Sequence, residues 1–323
     1  MAVRHLLSLS ELGLETISHL IKRTVEISKR AKVPKPLVNR VVGLYFRRHS
    51  TRTRSAFTVG AIKLGAATVV YQPDDLQILT GESLEDTARV LSGYLDAFVM
   101  RTNGPIHEME AFANQSRMAV INAMSANEHP TQAIADLATI YEAFGRHSDV
   151  HVLYIGEGNN TASALAYAAS VMPGLQLTLV TPQGYGLPEC ILDKVKSAAK
   201  QSGAFVTQHH NLDELPKRVD VVYTTRWQTM GEPKPDANWK ERFGPYRVTP
   251  ALMAQVSKPL GTIFMHDLPA IRGSDVTDDV LDGPQSWAFK QAQHKLTSAM
   301  AILEWCITGQ AAVREREVER RKL

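Results

Sequence analysis

The stretch "FRRHSTRTRSAF", Phe46 to Phe57, follows the apolar, β-branched run "VNRVVGLY". The run reads as a buried strand. Directly behind it the chain crowds Arg47, Arg48, Arg52 and Arg54 among Ser50, Thr51, Thr53 and Ser55. Such a segment is either a solvated helix face or a socket for an anion. Ser50 and Thr51 are residue types that cap a helix. The first N–H groups of the helix that follows lack intrahelical partners, and its dipole is positive at that end. A helix start of this kind binds phosphate readily. Arg52 and Arg54 point nearly opposite ways on a helix, so Arg52, nearer the end, is the better anion ligand. Arg47 and Arg48 are expected to face solvent or a partner subunit.

Working outward, strand-like and helix-like runs alternate. "AATVVYQ", "DAFVMR" and "MAVINA" join the first run as strands, with "SAFTVGAIKLG", "SLEDTARVLSGYL" and "TQAIADLATIYEAFG" as helices between them. A second series has strands "HVLYIG", "LQLTLVT", "AFVTQ", "VDVVYTT" and "GTIFMHDL". This alternation means βαβ units and parallel sheets. The expected fold is α/β, in two domains. Residues 1–145 form the first and 146–323 the second, with a hinge near "GRHSD" (Gly145 to Asp149). The first helix, near Glu11 to Arg30, and the last, about 286–309, are expected to cross between domains, the last packing back on the first domain. Ligands of open parallel sheets sit beyond the carboxyl ends of strands. Two further strand ends carry suitable groups: "DAFVMR" ends in Arg101, and "NEHPTQ" supplies His129 and Gln132 where a helix starts.

Composition narrows the class. The 323 residues suit two α/β domains, and 44% hydrophobic with 21% charged is ordinary for a soluble globular chain. No apolar run approaches the roughly 18 residues of a membrane helix. The N-terminus reads as no secretory signal, so a cytoplasmic location is expected. With Cys190 and Cys306 alone, neither a disulfide framework nor a Cys-based zinc site can be built. Lys and Arg total 36 against 33 Asp and Glu, too even for a dedicated nucleic-acid binder. The tail "REREVERRKL" reads as a solvated helix end.

"STRTR", "HPTQ" and "HDLPA" in this order resemble the aspartate/ornithine carbamoyltransferase family, over nearly the whole chain. The resemblance implies two Rossmann-like domains, carbamoyl phosphate bound by the first and an amino-acid acceptor by the second. It implies trimers, or multiples of them, with active sites shared between neighbours, and no cofactor or metal. Carried over by motif, Ser50, Thr51, Arg52 and Thr53 hold the phosphate. Thr53, Arg101 and His129 hold the carbonyl oxygen, and Gln132 accepts from the carbamoyl NH2. "YQPDDLQILTGESLEDTARVL" resembles the ornithine branch, where a polar residue at the position of Gln77 is lent to the neighbouring subunit's site. Thr80 stands where the aspartate branch has a lysine. Lys295, in "QHKLTSAM", takes the place of an arginine of the ornithine branch and completes the carbamoyl-phosphate site.

The acceptor loops are a hybrid. "IGEGNNTASALA" resembles the ornithine branch and assigns Asn160 to the acceptor. In "YTTRWQTMGE", Thr229, Met230 and Gly231 keep the ornithine pattern, whereas Thr225, Arg226 and Gln228 match the aspartate branch, and the acid of the ornithine branch is replaced by Thr225. Arg226 predicts an acceptor with an accessible carboxylate. In "MHDLPAIRG", Asp267 replaces a Cys of the ornithine branch, and the Leu268–Pro269 bond is expected to be cis. Asp267 could bind the incoming ammonium, act as general base, or brace Lys295 or Arg272. Amine binding is favoured. The mixture ranks a non-standard acceptor such as 2,3-diaminopropionate first, ornithine second and aspartate third. A protein that binds without turnover is disfavoured by the intact Arg52, Arg101, His129 and Gln132.

Overall fold

The computed structural model describes residues 3–228, 234 and 236–309. They form two compact units, one of residues up to 134 together with 295 onward, the other of residues 135–294. Each is a parallel sheet with helices.

In the first unit, 3-10 turn Leu9–Glu11 precedes α1 (Leu14–Lys29). The strands are β1 (Val41–Phe46), β2 (Ala67–Tyr71), β3 (Ala97–Arg101) and β4 (Ala119–Met124), in sheet order β2-β1-β3-β4. Between them run α2 (Thr51–Lys63), α3 (Leu84–Leu91) and α4 (His107–Ala113), and α5 (Pro130–Phe144) follows β4. β1 is buried almost throughout, as expected of an inner strand of a parallel sheet. Phe98 of β3 is the hub of the core: it stacks on Tyr45 and Phe112 and meets Tyr71 edge-on. Register sets the site. Phe46 pairs with Arg101, so the carboxyl ends of β1 and β3 lie side by side.

In the second unit the strands are β5 (His151–Ile155), β6 (Gln176–Val180), β7 (Phe205–His209), β8 (Val221–Thr224) and β9 (Ile263–His266), in order β7-β6-β5-β8-β9. The helices are α6 (Asn160–Ser170), α7 (Glu189–Ser202), α8 (Trp239–Phe243), α9 (Pro250–Val256), α10 (Asp278–Leu281) and α11 (Ala288–Thr308), whose last part belongs to the first unit. Leu153, Ile155, Val222, Phe264, Val248 and Val256 are among the residues of its core. Tyr154 pairs with Tyr223, and Thr224 with His266, which brings the ends of β5, β8 and β9 together.

The strand orders reverse direction between β1 and β3 in one sheet and between β5 and β8 in the other. A crevice opens at such a switch point, because the connections on its two sides leave in opposite directions. Both switch points coincide with loops singled out from the sequence.

Candidate active site

At the β1/β3 switch point, Ser50 occupies the N-cap of α2 with extended backbone. Its hydroxyl accepts no hydrogen bond from the first turn. The helix start therefore keeps its N–H groups directed outward, the arrangement that favours an anion. Thr51 and Arg54 are exposed, Arg52 is half-buried and Thr53 buried, so the two arginines part company as the helical spacing requires. Arg101, at the end of β3, donates from Nη1 to Thr53 Oγ1 at 3.1 Å. This joins the strand-end cation to the helix start.

Arg47 is part-exposed and has a partner within its own chain: both its terminal nitrogens bind the carboxylate of Glu108, at 3.1 and 2.8 Å. The fork geometry of guanidinium on carboxylate makes this a fixed brace. Arg48 is exposed.

His129 and Gln132 lie at the start of α5 and are both buried. Burial first, then the charges of Arg101 and Lys295, hold His129 well below the usual imidazole range, so the ring is neutral at pH 7. Its Nδ1 lies 3.3 Å from Thr131 Oγ1. When that hydroxyl donates, the ring proton sits on Nε2, where it can be offered to a carbonyl oxygen. His129, Gln132, Lys295 and Thr53 surround a cavity of about 10 Å³ that also touches Ala56 and Phe57. That is room for roughly one water. Gln77 is on an exposed 3-10 turn, its Oε1 accepting from Thr80 Oγ1 at 2.8 Å.

At the β5/β8 switch point a buried relay ties the loops together. Asn159 Nδ2 donates to Thr225 Oγ1 at 3.1 Å, the Thr225 hydroxyl lies 3.1 Å from the Tyr154 hydroxyl, and the latter donates to the Glu157 carbonyl at 2.8 Å. One direction of donation satisfies all three groups. Asn159 Oδ1 meanwhile caps α6 through the N–H groups of Thr161 and Ala162. Thr225 thus donates within this relay and accepts from Asn159, which leaves its hydroxyl one further lone pair for a ligand donor. Asn160, the first residue of α6, and Gln228 are half-buried. Arg226 is half-buried too, and its Nε is buried without a hydrogen-bond partner among the described residues. Thr229 and Met230 lie outside the described residues.

Asp267 follows β9. Its Oδ2 accepts from Thr161 Oγ1 at 3.3 Å, and its Oδ1 is buried without a hydrogen bond among the described residues. His266 Nδ1 is 3.6 Å from Oδ1, yet this is no ion pair. His266 Nε2 is 2.7 Å from buried Asp275 and carries the proton, while Nδ1 accepts from the Leu268 N–H at 2.9 Å. Arg272 does not brace Asp267. It pairs instead with Asp278 and Asp282, two carboxylates on and beside α10. Leu268 has φ +53°, and the Leu268–Pro269 bond is cis, as the resemblance implied. A left-handed leucine is rare and is held here against its steric preference.

Sequence reasoning overlooked two carboxylates, one buried and one half-buried. Glu128, next to His129, accepts from the Leu9 N–H at 2.8 Å and the Ser8 hydroxyl at 2.6 Å, and burial pushes it up to about 7. Glu157 binds Lys234, whose ammonium lies over the rings of Tyr185, Trp239 and Phe243. An acid directly before "HP" and an acid within "GEGNN" were the available signals.

The fold and these two switch points define a two-unit α/β transferase. The chain belongs to the aspartate/ornithine carbamoyltransferase family: the family's carbamoyl-P binding domain matches residues 4–142 and its Asp/Orn binding domain matches 148–306. It is 40% identical over 310 residues to an ornithine carbamoyltransferase of Caldicellulosiruptor saccharolyticus, covering 95% of this chain and 99% of the relative. The solved ornithine carbamoyltransferase of Pyrococcus furiosus is similar at TM-score 0.89 and 34% identity, over 96% of this chain and 99% of that one. The anabolic enzyme of Campylobacter jejuni gives 0.87 and 29%, over 95% and 100%. The chain is accordingly a carbamoyltransferase. Among the described residues, no helix is long and apolar enough to cross a membrane.

Proposed function

We propose that this chain transfers the carbamoyl group of carbamoyl phosphate to the side-chain amine of ornithine, giving citrulline and phosphate. The observation that carries the reading is the β1/β3 switch point, where a positive helix start, Arg52, Arg101 and a neutral His129 converge. In the reaction the amine nitrogen attacks the carbonyl carbon, the bond to the phosphate oxygen breaks, and a proton leaves the former ammonium. Negative charge builds first on the carbonyl oxygen and then on the phosphate. Donors fixed in advance stabilise that charge without reorganising, and binding both reactants removes most of the entropic barrier.

In this reading Ser50, Thr51, Arg52 and Thr53 take the phosphate, with Lys295 and a neighbouring subunit's Gln77 adding to that site. Thr53, Arg101 and His129 take the carbonyl oxygen, and Gln132 accepts from the carbamoyl NH2. Asn160, Arg226, Gln228, Asp267 and Leu268 take the acceptor. The two domains, 1–145 and 146–323, the homotrimer and a cytoplasmic location are part of the same proposal.

The acceptor rests on the relatives, which are ornithine carbamoyltransferases by name. The short diamino acid that the hybrid loops suggested finds no support among them, and ornithine takes its place. The test is a colorimetric ureido assay with carbamoyl phosphate and ornithine, lysine, aspartate, 2,3-diaminopropionate or putrescine. Ornithine is expected to give the highest kcat/KM. Preference for another amine would sink the acceptor assignment, and no turnover with any of them would sink the catalytic one.

A further inference from the structure

Given an α-amino acid as acceptor, the second unit must neutralise one cation besides the reacting amine. The reacting amine has to be deprotonated to attack, whereas the α-ammonium stays charged throughout. The loops at the β5/β8 switch point and the adjoining β9 end therefore need a carboxylate reserved for it. Thr225 is committed to Tyr154 and Asn159, and Asp236, further along the β8 loop, is paired with Arg242. Asp275 is occupied by His266 and the Ile271 N–H. Glu157 and Asp267 each keep a buried carboxylate oxygen that accepts no hydrogen bond among the described residues. Asp267 is the residue to which the sequence assigns the reacting amine, which leaves Glu157.

Glu157 is held as a recognition group would be. Its backbone carbonyl is fixed by the Tyr154 hydroxyl. Next to it, Gly158 donates its N–H to the Tyr185 carbonyl at 2.8 Å. A Cβ at Gly158 would lie 2.4 Å from the Gly186 carbonyl carbon and the Leu187 nitrogen, so a side chain there would force the two loops apart. This close approach sets Tyr185 beside Glu157. Lys234, its side chain 8% exposed, takes Oε1 and rests over three aromatic rings. Burial lowers the Lys234 ammonium to about 8, so it remains charged at pH 7. Oε1 is satisfied and the carboxylate plane is set, while Oε2 stays buried with no hydrogen bond among the described residues. A buried carboxylate oxygen lacking a donor is costly, and a ligand ammonium relieves that cost.

We infer that Glu157 is the residue that selects an α-amino acid as acceptor, its Oε2 receiving the α-ammonium while Lys234 orients the carboxylate. The inference rests on the acceptor reading proposed above. It separates from that reading by a comparison of ornithine with 5-aminopentanoate, which keeps the terminal amine and the carboxylate but lacks the α-ammonium. The wild-type chain is expected to prefer ornithine in kcat/KM, and Glu157→Gln to lower that preference about ten- to hundredfold, mainly through the ornithine KM. Glu157→Asp, which keeps the charge, is expected to retain most of it. Glu157→Asn serves for the same ratio should the Gln variant not fold. An unchanged preference in the neutral variants overturns the inference, as does an equal loss in the Asp variant. Failure of the wild type to use ornithine at all overturns the acceptor reading instead. If the chain then carbamoylates 2,3-diaminopropionate, the same ratio against 3-aminopropionate decides the role of Glu157.

Discussion

At the β1/β3 switch point stand Arg52, Arg101 and a neutral His129, and at the β5/β8 switch point stand Glu157, Asn159 and Thr225, knit together by Tyr154. The same topology presents opposite electrostatics. The first crevice is made from a helix start and strand-end cations, so it suits an oxyanion whatever the rest of the ligand is. The second is a relay of neutral donors and acceptors with a spare carboxylate oxygen, and it suits a zwitterion. In the proposed reading, one crevice stabilises charge that develops during reaction, and the other recognises charge that the substrate already carries.

Arg52→Ala is the strongest way to break the comparison. It is expected to lower kcat/KM about a thousandfold with every amine, because removing one preorganised donor to a developing charge costs on the order of 10²–10³ in rate and a phosphate contact is lost as well. Steady-state kinetics with two amines measures this, and a loss confined to one amine would place Arg52 on the acceptor instead.

Glu128 gives the next effect, on stability. Burial lifts its folded value to about 7, above the ordinary 4.5, so between those pH values the folded chain binds the extra proton and stability falls as pH rises. The full shift corresponds to about 3 kcal/mol. Glu128→Gln should therefore gain in melting temperature relative to wild type from pH 5 to pH 8. A gap that does not change with pH refutes the burial argument.

His129→Gln is expected to lower kcat about a hundredfold. Because the wild-type ring is depressed well below 6.5, the folded chain does not take up its proton as pH falls below that value, while the unfolded chain does. Stability from this group is present above about pH 6.5 and lost below it, and kcat should show no ionisation of His129 between pH 6.5 and 8. A kcat inflection near 6.5 that vanishes in the variant would falsify the neutral ring.

In the second crevice the effects are smaller. Arg226→Leu should raise the acceptor KM about tenfold and leave that of carbamoyl phosphate nearly unchanged; equal rises would mean that Arg226 acts through the fold. Thr225→Val removes the middle of the relay and should cost about 1–2 kcal/mol by denaturant unfolding. No loss would show that the relay adds nothing.

Much of the first crevice was legible from residue order. "STRTR" after an apolar strand, Arg101 at a strand end and His129 at a helix start are local patterns, since capping and helix dipoles act within one turn. The second crevice was legible only as positions. That Thr225 is enclosed by Tyr154 and Asn159 follows from the pairing of β5 with β8, and no local pattern encodes it. The ion pair of Arg47 was not legible for the same reason, because its carboxylate partner is 61 residues away.

From the sequence alone came the alternation that makes two parallel sheets, the helix start that attracts an anion, and the motifs that place the chain among carbamoyltransferases. These depend on periodicity and on neighbours within a few residues. Tertiary structure alone decided which charges are neutralised by a partner and how deeply each is buried. Glu128 meets Leu9 across 119 residues, and Glu157 meets Lys234 across 77. The strength of a charge depends on its burial and its partners, and both are settled only when distant segments pack.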